Sequence, residues 1–581
     1  MKSQSPIFLG INLEMDPSIA IVKNGEVICY SEEERHIRIK HAKNIYPKNA
    51  LKFCLDKANC EITDIDSIAI NWDLTKYNNG YMEDFYKSIR KKYHVDEATI
   101  SWQQRNLNKR NWSRYIEMHS KELKNIFGDI EIPLIEDFPH HYTHAFQSFM
   151  QSNFKEAICL TIDGSGDDHC TVIWVCKNQE IKPIKEIKMP HSLGWYYAAI
   201  TEYLGFEAYD GEYKVMGLAA YGKENLDLRE KIRKIIFKDE EKIAYEIDPT
   251  YIHYGEHNYS NRYTDKLVEL FQREPRRGEE EIDNWHKSLA YEAQLQLEKI
   301  VLFLVKWAVK ETGLSKVCIG GGVGLNVKLN SEIFNLEEVT DCFAHPLCSD
   351  AGASCGAALL ASLKHTRSQP EKIRTLALGY ENSSNDIQKF LDISKIKYEQ
   401  VSEITKVVAE ELNKGKIIGW VQGKMEAGPR ALGQRSILAN PTKIEYRDKV
   451  NEVIKFREDW RPFCPSMLEE YSEIYFKKKT LAPFMIIAFE ASEKLRVDAP
   501  AIVHVDGTSR VQLVDKNVLP LYYNLIQEFK NLSGVPVILN TSFNLKGEPI
   551  VCTVKDALRT FYSSGMDILA IGDFIIRKEI A

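Results

Sequence analysis

A chain of 581 residues is too long for one hydrophobic core and predicts at least two domains. Its 44% hydrophobic and 27% charged residues are ordinary for a soluble globular protein, and a net charge of -7 leaves no electrostatic case for nucleic acid or an anionic membrane as partner. Apolar runs stop short of spanning length, and twelve cysteines without a Cys-x-x-Cys pair predict reduced thiols in a cytoplasmic protein.

The chain enters an apolar run at Ile7–Ile11 without a charged-then-apolar leader pattern. Ser18–Ile28 reads as strand, Asn-Gly turn, strand. Residues 40–135 read as mostly helical. His140 and His144 then lie four apart, which on a helix puts both imidazoles on one face. The run Ala157–Ile162 reads as a strand that ends in Asp163 and opens a Gly-rich turn through Gly164 and Gly166. A helical histidine pair beside such a carboxylate points to a divalent metal with nitrogen and oxygen ligands, though solvated histidines show the same spacing. Cys170–Ile181 repeats the hairpin, with Lys-Asn-x-Glu at the turn in both copies.

Residues 192–206 form a helix-like segment that leads into Gly211–Leu218, and the charged residues 224–285 read as a peripheral insertion. An apolar helix over 289–311 feeds strand 316–319, which ends in Gly320-Gly321-Gly322-Val-Gly324-Leu-Asn326. Such a loop leaves amides available to phosphate or adenosine. Ser349-Asp350 starts a small-residue helix, where an aspartate is ordinarily an N-cap. A linker over 364–375 precedes a second α/β region with helix 401–414 and strand 417–421. There Arg430, Arg435, Lys455, Arg457, Arg461 and Arg510 sit among Gly, Pro and Ser, a setting that suits polyphosphate and carboxylate recognition.

Two copies of strand, acidic loop and hairpin resemble the duplicated ribonuclease-H-like halves of the actin and Hsp70 ATPase fold. The landmarks Arg38-Ile-Lys40-His41, His140-His141-x-x-His144, Asp163-Gly-x-Gly-Asp167, Glu212-Tyr-Lys-Val-Met-Gly-Leu218, Gly320–Asn326, Ser349-Asp350, Glu426–Gly433, Arg461-Pro-Phe and Asn540–Asn544 follow in one order. Together they resemble the NodU/CmcH-type O-carbamoyltransferases over essentially the whole chain. Lys455-x-Arg457 and Ser542-x-Asn544 resemble the signature of YrdC-like domains.

The resemblance implies an α/β protein. Residues 1–365 form a carbamoyl-transfer domain of the ATPase fold, and 376–581 a YrdC-like domain that joins ATP, with Mg(II), and carbamoyl phosphate into carbamoyl adenylate. It implies a metal, Fe(II) or a similar divalent ion, on His140, His144, Asp163 and Asp350. Lys455, Arg461, Arg510, Lys40 and Asp16 take catalytic roles. ATP and carbamoyl phosphate contact Arg430, Lys455, Arg457, Arg461, Arg510, Ser542 and Asn544, and also Gly164, Gly166, Glu212, Lys214, Gly321, Gly322 and Asn326. The expected partner is a small hydroxylated acceptor, such as a sugar or natural product, and a homodimer is the assembly to look for. Family members carry His-Asp in the first acidic loop, whereas this chain has Met15-Asp16. A thioether takes no proton, so the acceptor must be activated by Asp16, by another residue such as His41, or by the adenylate itself. Competing readings are a tRNA threonylcarbamoyl enzyme, an ATPase-fold small-molecule kinase and an inactive scaffold. The kinase would release ADP in place of AMP and pyrophosphate.

Overall fold

The computed structural model describes residues 5–254, 262–278, 280–455, 460, 463–478 and 480–578. They form two compact units: Met1–Asn12, Val22–Glu26 and Cys60–Lys372 in the first, and Leu13–Ile21, Val27–Asn59 and Ile373–Ala581 in the second.

The N-terminal half builds the same sheet twice. The first copy holds β1 (Ile7–Asn12), β2 (Ser18–Lys23), β3 (Glu26–Glu32), β4 (Ser67–Ile70) and β5 (Leu134–Asp137), in the order β3-β2-β1-β4-β5. β4 lies parallel to both β1 and β5. The second copy holds β6 (Glu156–Gly166), β7 (His169–Lys177), β8 (Glu180–Lys188), β9 (Lys316–Gly320) and β10 (Asp341–Ala344), in the order β8-β7-β6-β9-β10. β9 lies parallel to β6 and β10, while β7 runs antiparallel to β6 and β8. Two hairpin strands, a central strand and two parallel strands thus recur in one order, as the duplicated ribonuclease-H-like reading requires. β4 was hidden in the stretch read as mostly helical. Its four residues are all buried, and a short apolar run buried on both faces carries no alternation to betray it.

Helix Asp350–Thr366 packs on β1 and on helix His140–Met150. Its small residues set the distance: a Cβ on Gly10 would sit 1.8 Å from Ser354 O, and one on Gly356 2.7 Å from Thr143 Cγ2. This close approach brings the start of one helix beside the histidines of the other. Helix Asn284–Thr312, capped by an Asp283–His286 box, feeds β9. Residues 224–285 are not merely peripheral. Leu228, Ile232, Ile235, Tyr245 and Ile247 are buried, and Tyr245 Oη donates to His191 O at 3.1 Å.

In the second unit eight strands make one mixed sheet. They are β11 (Glu399–Gln400), β12 (Ile418–Val421), β13 (Arg435–Ala439), β14 (Cys464–Leu468), β15 (Gln512–Val514), β16 (Val537–Ser542), β17 (Ile568–Ile571) and β18 (Phe574–Arg577), in the order β11-β18-β17-β12-β13-β16-β14-β15. Helices Ile404–Asn413 and Pro520–Ser533 bury Val408, Leu412, Leu525 and Phe529 with Ile418, Trp420, Leu438, Ile538 and Ile568. Trp420 satisfies its indole by donating to Gly433 O at 2.9 Å.

Candidate active site

His140 opens helix His140–Met150 and His144 follows one turn later, so both rings leave the same face. Both are buried. Their Nε2 atoms lie 3.1 Å apart. Asp163 Oδ2 stands 3.8 Å from His140 Nε2 and 3.5 Å from His144 Nε2. Asp350 Oδ1 stands 3.4 and 3.6 Å from the same two atoms. Donors about 2.1 Å from an ion and about 90–110° apart are about 3.0–3.4 Å from each other, so this set could hold one ion after a contraction of a few tenths. Asp350 Oδ1 is buried and accepts no hydrogen bond, which a bound cation would remedy. The helix N-cap is Ser349, so the Asp350 carboxylate is not spent as a cap. Two imidazoles and two carboxylates suit Fe(II), Mn(II) or Zn(II).

The surroundings fix these ligands. His140 Nδ1 donates to Asn71 O at 3.1 Å, which leaves the Nε2 lone pair for a metal. His140 N donates to Asp167 Oδ2 at 3.0 Å, and Asp167 Oδ1 accepts from Asp73 N at 3.1 Å. The Trp72 ring lies 4.8 Å from that of His140, and the Arg110 guanidinium lies 3.6 Å from the centre of the Trp72 ring. Asp163 is held by amides: Oδ1 accepts from Gly164 N at 2.7 Å and Oδ2 from Gly322 N at 3.1 Å. Burial pulls the metal-free His140 imidazolium down, but Asp350 and Asp163 outweigh it and push the group up to about 10. Burial raises Asp350, and the two histidines outweigh that, holding it well below the usual carboxylate range.

The glycines here make room for the ligands. β6 runs on to Gly166 through a register shift after Ile162, so the expected turn comes at Asp167. A Cβ on Gly166 would lie 2.3 Å from His140 Cδ2, and one on Gly164 2.9 Å from Trp195 Nε1. A Cβ on Gly321 would strike Ile162 O at 2.4 Å. Asn326 caps helix Val327–Asn335 and exchanges two hydrogen bonds with Gln294, at 2.9 and 3.1 Å. Glu212 accepts from Tyr209 N at 3.0 Å, and burial pushes its carboxyl up to about 7. Lys214 Nζ lies 5.3 Å from the centre of the Phe206 ring.

The second unit carries the other site residues. The Lys455 side chain, Arg457 and Arg461 lie outside the described residues. Arg430 is half-buried in a loop folded by Glu426, whose Oε1 accepts from Leu432 N at 2.8 Å and Arg435 N at 3.2 Å. Arg435 is buried and serves that fold: Nη1 donates to the carbonyls of Gln422, Gly423 and Gln434, and Nη2 to Tyr380 O. Arg510 turns Nε and Nη2 to Cys464 Sγ, at 2.8 and 2.6 Å. Ser542 Oγ donates to Asn544 Oδ1 at 2.7 Å, and Asn544 Nδ2 to Glu548 O at 2.6 Å. Asp16 Oδ1 meets His41 Nδ1 at 2.7 Å, and Glu34 Oε2 accepts from His41 N at 2.7 Å. Glu14, Asp16, His41 and Asn44 all hold positive φ, and Asn44 N donates to Glu14 O at 2.9 Å. Lys40 lies half-buried beside this pair of loops.

Residues 8–359 match the family model described as the carbamoyltransferase N-terminus, and 409–578 match the carbamoyltransferase C-terminus. The chain belongs to the carbamoyltransferase family. Nodulation protein NolNO of Sinorhizobium fredii is 33% identical over 97% of this chain and 79% of its own. Nodulation protein NolO of Bradyrhizobium diazoefficiens is 34% identical over 76% of this chain and 79% of its own. Among solved structures, full-length HypF is 14% identical with a TM-score of 0.33, over 63% of this chain and 57% of that one. The Acidaminococcus fermentans (R)-2-hydroxyglutaryl-CoA dehydratase component A is 13% identical with a TM-score of 0.33, over 62% and 99%.

The structure of this carbamoyltransferase thus brings together His140, His144, Asp163 and Asp350, from one helix, one strand and the start of a second helix. Sequence reasoning missed Asn71, which sets the His140 tautomer from the residue after β4. A strand that ends in a polar residue was the available signal. It also gave Asp167 no role, although the residue holds the first turn of the histidine helix. No helix among the described residues is long and apolar enough to cross a membrane.

Proposed function

We propose that this carbamoyltransferase joins ATP and carbamoyl phosphate into carbamoyl adenylate and passes the carbamoyl group to a hydroxyl of a small molecule. The observation that carries the reading is the convergence of His140, His144, Asp163 and Asp350 on one point, in a chain whose two parts match both carbamoyltransferase models. When bound, a divalent ion supplies Lewis-acid polarisation of a carbamoyl carbonyl or a phosphate oxygen.

Adenylation belongs to the basic residues of the second unit. Water first takes the phosphoryl group of carbamoyl phosphate away as inorganic phosphate; the carbamate oxygen so released then attacks the α-phosphorus of ATP, the bond to the β-phosphate oxygen breaks and pyrophosphate leaves. Lys455, Arg457, Arg461 and Arg510 offset the negative charge, with Mg(II) on the polyphosphate. Arg430, Ser542 and Asn544 orient the nucleotide. Gly164, Gly166, Gly321, Gly322, Glu212, Lys214 and Asn326 frame the adenylate for transfer, the glycines by closeness of backbone. In transfer the acceptor oxygen bonds to the carbamoyl carbon, the carbon–oxygen bond to AMP breaks, and the hydroxyl proton goes to Asp16. His41 does not replace the missing histidine as a base. Burial pulls its imidazolium down, but Asp16 outweighs that and pushes it up to about 9, so near pH 7 it holds Asp16 in place as a cation. Lys40 attracts the departing phosphate.

The test supplies ATP, Mg(II) and carbamoyl phosphate without acceptor. Pyrophosphate must appear, and Lys455→Ala must abolish it. ADP in its place sinks the adenylation step and returns the kinase reading. His144→Ala is expected to keep pyrophosphate release and stop acceptor carbamoylation, read as a carbamoyl mass gain.

A further inference from the structure

We infer that Glu32, Arg35 and Arg38, more than 390 residues from the loops they hold, are positioning residues for the nucleotide-handling loops of the second unit. The inference rests on the proposed adenylation step. It assigns residues 27–59 to the adenylate-forming machinery, although the chain reads as if that machinery began at 376.

Three hydrogen bonds close a ring around one residue, Gly428. Arg35 Nε donates to Glu32 Oε2 at 2.7 Å. Arg35 Nη2 donates to Gly428 O at 2.8 Å. Gly428 N donates back to Glu32 Oε1 at 3.2 Å. Glu32, Arg35 and Gly428 are all buried. Gly428 holds φ 83, so the grip fixes a turn that lies two residues before Arg430. Arg38 does the same to the other loop. Its Nη1 and Nη2 donate to Ile550 O and Pro549 O, both at 2.6 Å, and its Nε faces Asp556 Oδ1 at 3.7 Å. That loop is closed by Val551 N donating to Phe543 O at 2.9 Å and contains Asn544.

The chemistry of the grip favours positioning over bulk stability. A planar guanidinium presents donors in a fixed fork, so it sets the spacing of the carbonyls it binds, which an ammonium does not. A buried ion pair is weak evidence for stability, because desolvation offsets much of its attraction. Two forks, one on each loop, fix where the loop residues point. Displacement of a positioning group by about 1 Å costs about a hundredfold in rate.

The experiment measures pyrophosphate formation from ATP and carbamoyl phosphate by the full chain, with Arg38→Ala, Arg38→Lys and Arg35→Lys beside the wild type. Thermal unfolding of each variant gives the folded fraction. The expected result is a kcat lowered by about tenfold to a hundredfold in folded Arg38→Ala, with KM for ATP changed far less. Lysine is expected to rescue little, whereas free guanidinium ion restores Arg38→Ala. Folded Arg38 variants at the wild-type rate overturn the inference. So does a loss that only tracks the unfolded fraction, or full rescue by lysine. Arg38 grips its loop through the carbonyls of Ile550 and Pro549 and through Asp556, so the outcome does not depend on whether Arg35→Lys folds. A wild type that makes no pyrophosphate overturns the adenylation reading itself, and the two failures are told apart.

Discussion

His140 Nε2 and His144 Nε2 face each other at 3.1 Å, with one oxygen of Asp350 at 3.4 and 3.6 Å from them. In the metal-free protein the carboxylates push His140 up to about 10, so at pH 7.5 the cluster holds a proton. An ion must displace it. Calorimetry of Fe(II), Mn(II) or Zn(II) binding in buffers of different ionisation enthalpy is expected to show release of about one proton per ion. Apparent affinity should climb about tenfold per pH unit up to that value. Binding without proton release would mean that the histidines are not the ligands.

Gly166→Ala places a Cβ where the His140 ring stands, 2.3 Å from Cδ2. The ring must turn or the strand must shift. The expected outcome is a folded protein with metal affinity lower by about tenfold or more, in the range seen when groups that orient ligands are disturbed. Metal content after dialysis checks it, with the wild type beside the variant.

His41 is expected to give the proposed transfer step a pH limit. Its value is raised to about 9 by Asp16 against burial, so the cationic form is present below that pH and lost as pH rises through it. Acceptor kcat/KM is expected to fall on the alkaline side with a midpoint near 9. His41→Gln should flatten that limb. Persistence of the limb in the variant would assign it to another group.

Asp168 is a fully buried hub, with Lys76 Nζ at 2.6 Å, Lys188 Nζ at 2.7 Å and Tyr81 Oη at 2.6 Å. Burial raises its carboxyl, and His169, Lys188 and Lys76 outweigh burial and hold it below the usual range. A depressed value contributes stability above the unfolded-state value of about 4 that is lost as pH falls further. Asp168→Asn is expected to cost about 3 kcal/mol at pH 7, since removing one member of a buried pair strands the rest and the exposed part of Lys188 screens some of the loss. Urea unfolding at pH 7 and pH 2 measures both effects, and the variant's loss should shrink at the lower pH.

Much of the site was legible in the chain. The four-residue spacing of His140 and His144 becomes one helix face because helical geometry allows nothing else. Asp163 was legible as the end of an apolar run, yet the strand continues to Gly166, because that glycine must pass under the His140 ring. The glycines after β9 suggested free amides for phosphate, and the Gly322 amide is instead given to Asp163, 159 residues away. Arg435 looked like its neighbour Arg430, but folding turned its donors onto four carbonyls.

The sequence by itself determined the helices, the hairpin repeat, the donor types of the His140, His144, Asp163 and Asp350 cluster and the family, since each is a matter of local period, residue chemistry or motif order. Tertiary structure alone decided which glycines are steric, that Asn71 sets a tautomer, that the Asp350 carboxylate faces His140 and His144 and is not a cap, and that Glu32, Arg35 and Arg38 grip loops around Gly428 and Ile550. Those are contacts between segments far apart in the chain. Backbone carbonyls and buried volume make them, and neither leaves a pattern in the order of side chains.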